Sequence, residues 1–72
     1  MKDQTYNAFV LALSLSITAP TEELGQEMLS AAQDIGMSLS QTKVNKAKRI
    51  IEKATESGKL HDLIIEKGLL LN

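Results

Sequence analysis

The residues able to do chemistry are few, and their spacing limits what they can do. The chain has one histidine, His61, and no cysteine. A serine nucleophile needs a positioned base, for which only His61 is available, and thiolate metal ligation has no ligands. Carboxylates crowd only at Glu22/Glu23/Glu27 and at Asp62/Glu66. Asp62 and Glu66, four apart on a helix, would share a face, as an acid/base or metal pair requires. Lys59, three residues before Asp62, makes a solvated and locally paired face the simpler reading. His61 directly precedes Asp62 and cannot share that face. The glycines fall singly and Gly-x-x-x-x-Gly-Lys is absent, so no phosphate-cradling loop is expected. These residues predict no enzyme, no metal and no cofactor.

Charge is the second candidate for function. The stretch from Ser40 to Gly58, SQTKVNKAKRIIEKATESG, carries Lys43, Lys46, Lys48, Arg49 and Lys53. As the second helix of a helix-turn-helix it would present Gln41, Thr42, Lys43, Asn45, Lys46 and Arg49 to bases and phosphates. Lys43, Lys46 and Arg49 are the candidate nucleic-acid contacts. Two features count against that use. Glu52 and Glu56 are expected to pair with Lys48, Arg49 and Lys53, and the whole chain carries a net charge of −1. Nucleic-acid modules are usually basic throughout. The charge is also unevenly spread, at −4 over residues 1–37 and +3 over residues 38–72. Nucleic-acid binding therefore stands as the alternative to a protein–protein role.

These groups must be positioned by helices. With 72 residues the chain is a single small domain, which buries only ~60% of its unfolded surface. Tyr6 and Phe9 are the only aromatic residues. A core of Leu, Ile, Val, Ala and Met favours helix on helix. The apolar periodicity predicts an all-α fold: a small bundle of three principal helices plus a short C-terminal one, over about 4–17, 20–35, 41–57 and 59–67.

In the first segment, Tyr6, Phe9, Val10, Leu13 and Ile17 form one face, with Asp3 or Thr5 as cap, while Leu11 and Leu15 lie well away from it. So broad an apolar surface needs cover on two sides, from other helices or from a partner chain. The run from Ala8 to Ala19 resembles a signal core in length. However, Asp3 offsets Lys2, Ser14 and Ser16 interrupt the run, and Ile17 spoils the cleavage position. It is also short of the ~20 apolar residues a bilayer takes. A cytoplasmic protein with no membrane role is expected.

Pro20 ends the first helix, and Thr18 or Thr21 caps the second. Leu24, Met28, Ala31 and Ile35 form the expected buried stripe there, with Ala32 adjoining. Gly25 and the alanines permit close approach, and Gly36 is expected as the left-handed stop. Ser40 caps the third helix, with Leu39 and Val44 as its hydrophobic staple, or alternatively Ser38 caps it with Gln41 closing a capping box; Gly58 stops it. Its buried stripe is Val44, Ala47, Ile51 and Ala54, beside Ile50. In the last helix Leu60, Leu63 and Ile64 point inward and Gly68 ends it. Leu69, Leu70 and Leu71 follow as an apolar tail that needs a surface to pack on.

The pattern L-A-L-S-L-S-I-T-A-P-T-E-E at 11–23, followed by S-x-x-x-V-x-x-A-K at 40–48, resembles short uncharacterised helical proteins of cyanobacteria and their phages. The resemblance implies a small cytosolic protein and transfers no active residue. The sequence thus predicts a non-catalytic protein–protein interaction or adaptor module, self-associating as a homodimer through helix 1. The contact residues would be Tyr6, Phe9, Val10, Leu11, Leu13, Leu15, Leu69, Leu70 and Leu71.

Overall fold

The computed structural model describes the backbone of residues 4–70 and the side chains of residues 4–69. Asp3, Leu71 and the side chain of Leu70 lie outside the described residues. Four helices make up the fold: α1 (Gln4–Thr18), α2 (Glu22–Gly36), α3 (Gln41–Glu56) and α4 (Leu60–Leu70). The chain is all-α.

Local chemistry sets most of the boundaries. The residue before a proline is pushed out of the helical region, so α1 stops ahead of Ala19-Pro20. Thr21 is extended, and its hydroxyl accepts the Leu24 N–H at 3.1 Å. Glu22 and Glu23 then occupy the first turn, where the positive helix end favours them. Ser40 repeats the device for α3, accepting the Lys43 N–H at 3.3 Å. Gly58 ends α3 with a φ of 72°. The Lys59 N–H donates to the Ala54 carbonyl at 2.8 Å and the Gly58 N–H to that of Thr55 at 3.3 Å. This pair of bonds is the Schellman closure, which needs a residue tolerant of left-handed backbone.

Two glycines do otherwise than expected. Gly36 stays right-handed inside α2, and Met37 caps that helix instead. Gly68 does not end α4, which continues to Leu70. A glycine weakens a helix by about 1 kcal/mol relative to alanine, a deficit that the close packing on Phe9 offsets at Gly36 but that stays uncompensated at Gly68.

α1 is the axis of the fold. It packs against α2, α3 and α4; α3 also meets α4, whereas α2 makes no more than a marginal contact with either α3 or α4. Gly36 of α2 faces Phe9, and Gly25 faces Ser16, so α1 and α2 run antiparallel. The buried apolar core is Phe9, Val10, Ala12, Ala32, Ala47, Ile51 and Leu60. Around it pack half-buried Tyr6, Leu13, Ile35, Leu39, Val44, Ala54, Leu63 and Ile64. The stapling pair Leu39 and Val44 is among these. Ser14 is fully buried on α1, and its hydroxyl donates to the Val10 carbonyl at 2.8 Å. That bond removes the cost of burying an unpartnered hydroxyl.

α2 buries its expected stripe only in part. Ala32 is its one buried residue; Met28, Ala31 and Ile35 are half-buried, Ile35 against the core, and Leu24 is 38% exposed. The approach to α1 runs instead through Gly25, Ala32 and Gly36, seven and four residues apart. A Cβ at Gly36 would stand 2.8 Å from Cε1 of Phe9, and one at Gly25 would stand 3.1 Å from the Ser16 carbonyl oxygen. Small residues bring the backbones together, so the larger ones are displaced to the flanks.

Candidate interaction surfaces

The residues expected to mediate self-association do not form one patch. Phe9 and Val10 belong to the chain's own core, Val10 with no exposure at all. Both are thereby removed from any partner surface. The broad face of α1 is covered by α2, α3 and α4, so no partner chain is needed to bury these two. Tyr6 and Leu13 are half-buried and pack on the core. Leu11 and Leu15 are half-buried elsewhere on α1, and Leu69 is 68% exposed on α4.

Because α2 and α3 hardly touch, a cleft of about 350 Å³ opens between them over α1. Phe9 and Leu13 floor it, with Leu29, Gln33 and Met37 on one bank and Gln41, Val44 and Lys48 on the other. Leu13 and Lys48 continue into a neighbouring hollow with Ile17, Ile51 and Glu52. A helix-turn-helix holds its two helices as a packed pair, and here each rests on α1 instead.

The opposite side of α2 and α4 carries a second apolar surface. Going round α1, Leu11 and Leu15 fall between Asn7/Ser14 and Ala12/Ser16. α2 covers the Ser16 side. α3 lies over Leu13 and Ile17, which leaves the Asn7 and Ser14 side to α4. On α2 the cleft takes Leu29, Gln33 and Met37, so Leu24, Met28 and Ala31 occupy the flank turned away from α3. On α4, Asp62, Leu63 and Glu66 share a hollow with Lys53, Ala54 and Ser57 of α3. His61 and Ile65 therefore lie on its other flank. By helical geometry Leu11 and Leu15 thus lie between Leu24, Met28 and Ala31 of α2 and Ile65 of α4, with Leu69 at the outer rim between Ile65 and Asp62. Ile65 is 51% exposed. None of these seven side chains belongs to the packed core, and none is charged.

The third surface is cationic. Lys43, Lys46, Lys48, Arg49 and Lys53 are all exposed on α3. The expected pairing with Glu52 and Glu56 is not made: among the described residues no carboxylate lies within 4.0 Å of Lys46, Lys48, Arg49 or Lys53. Thr42, Asn45, Lys46 and Arg49 line an open hollow of about 470 Å³. Nζ of Lys46 stands 5.8 Å from the centre of the Tyr6 ring, and Nζ of Lys67 stands 5.6 Å from it. This three-helix cluster was not legible in the sequence, since only the packing of α3 and α4 on α1 brings it together.

Asp62 and Glu66 line one hollow, whereas His61 lies on the other flank of α4. His61, Asp62 and Glu66 are exposed. Among the described residues no three His, Asp or Glu side chains converge as a metal site would require. No described helix is long and apolar enough to cross a membrane. The chain matches no protein-family model, no curated protein and no solved structure.

Proposed function

We propose that this chain is a non-catalytic cytoplasmic interaction module that self-associates as a homodimer through the seam of Leu11, Leu15, Leu24, Met28, Ala31, Ile65 and Leu69. The carrying observation is that Leu24, Ile65 and Leu69 are exposed, and helical geometry sets them near half-buried Leu11, Leu15, Met28 and Ala31, none of them charged. Charge argues that the occupant is a second copy. A two-fold interface sets each surface patch against itself. The outer face of α2, with Glu23, Glu27 and Asp34, would repel its own copy, and so would the cationic face of α3. The seam would not.

The small core supplies the reason to associate: of the seven buried apolar residues, three are alanines. Small domains commonly gain burial by oligomerising. Sedimentation equilibrium from micromolar to millimolar protein tests the proposal. A dimer that Ile65→Gln/Leu69→Gln converts to monomer supports it. A wild-type monomer throughout, or a dimer indifferent to both substitutions, overturns it.

A further inference from the structure

We infer that the cationic side of α3 is a docking strip for the phosphodiester backbone of duplex nucleic acid. The strip is built from Lys46, Arg49 and Lys53, with Thr42 and Asn45 beside them and Lys67 of α4 at its edge. It uses a surface separate from the apolar seam, so it stands or falls independently of the homodimer.

The charges of the strip have no close counterpart among the described residues. Lys46, Arg49 and Lys53 are spaced three and four apart, so they share one face and are spread over about 10 Å at 1.5 Å per residue. No carboxylate among the described residues lies within 4.0 Å of them. They therefore keep their charge available, although Glu52 and Glu56 stand on the same helix. A solvated lysine face usually intersperses signs in contact; this one does not.

The second observation is positional. The ammonium groups of Lys46 and Lys67 are both drawn to the Tyr6 ring, at 5.8 and 5.6 Å. A ring face attracts a cation, which restrains both side chains. An anion that docks beside them meets side chains already partly ordered. The adjoining hollow of about 470 Å³ is lined by Thr42, Asn45, Lys46 and Arg49. A phosphate oxygen there can accept from a hydroxyl, an amide and a guanidinium, the mixture of donors that backbone contacts use. Arg49 adds the planar fork that suits two phosphate oxygens.

The geometry also sets the mode of binding. α2 does not brace α3 as the first helix of a helix-turn-helix would, and the readers sit on the side of α3 away from the α2/α3 cleft. The strip accordingly contacts backbone phosphates with little preference for sequence.

Fluorescence anisotropy of a labelled 20-base-pair duplex of mixed sequence, from 20 to 200 mM salt, is the test. Three phosphate contacts predict a slope of log affinity against log salt of about −2.7, which is roughly a 500-fold loss over that range. Lys46→Gln, Arg49→Gln and Lys53→Gln should each reduce the slope by about 1. Lys59→Gln removes the same charge beside Asp62 and Glu66 and should leave it unchanged. All four sites are exposed, and an unchanged far-ultraviolet dichroism spectrum confirms that folding is retained. No binding at 20 mM salt overturns the inference, as does equal weakening by Lys59→Gln. Tighter binding of an acidic polypeptide than of the duplex overturns it in favour of a protein ligand.

Discussion

The ring of Phe9 rests directly on the backbone of Gly36, where a Cβ would stand 2.8 Å from the ring carbon Cε1. Phe9 is 4% exposed and anchors the packing of α1 on α2. Gly36→Ala must displace a core aromatic and should destabilise by about 1–3 kcal/mol. Gly68→Ala meets nothing within 4 Å and should stabilise by up to about 1 kcal/mol through helix propensity alone. Urea midpoints of the two variants should move in opposite directions. Equal shifts would show that the close approach carries no energy.

Gly58 makes a different demand. Its surroundings are open, so space is not at issue, but its φ is 72°. Gly58→Ala should cost about 1–2 kcal/mol from left-handed strain. Gly58→Asn should recover most of that, because asparagine tolerates this conformation. Thermal unfolding of the pair checks the order.

The two caps are separable. Thr21 and Ser40 each accept one N–H, from Leu24 and Lys43 respectively. Replacing either with alanine should lose about 1 kcal/mol, and the two losses should add, since the caps share no partner. A double variant no weaker than the singles would contradict the assignment.

Exposed apolar residues in the cleft and the seam should behave differently in association. Met37 is 86% exposed at the cleft and Leu69 is 68% exposed at the seam. Met37→Ser should leave the sedimentation profile of the wild type unchanged, whereas Leu69→Ser should shift it toward monomer. The reverse result would move the homodimer interface to the α2/α3 cleft.

Much of this fold was legible in the chain because the signals that specify it are local. The four helices, the caps at Thr21 and Ser40, the stop at Gly58 and the Val44–Ala47–Ile51–Ala54 stripe depend on neighbours within one turn. What escaped depended on how helices meet. Leu24, Met28, Ala31 and Ile35 have the period of a buried face, but α2 turns Gly25, Ala32 and Gly36 inward because small residues allow closer contact. Periodicity gives a helix its apolar side; it does not say which small residues beside that side will meet a neighbour. The surfaces followed the same division. Exposure of Lys46 and Arg49 was readable, whereas their lack of carboxylate partners among the described residues and the gathering of Lys46 and Lys67 at Tyr6 were not. The seam needed three helices in place before Leu11, Leu24 and Ile65 could be seen on one side.

The central position of α1 has a consequence for synthesis. It is translated before every helix that covers it, and its cover is complete only when α4 is made, 52 residues after Thr18. At typical elongation rates that interval is about 3–10 s. Throughout it, the side chains of Phe9, Val10 and Leu13 lack their final neighbours while already made. Folding of the core therefore cannot be completed until the last helix is available, so α1 waits on the end of synthesis for its full cover.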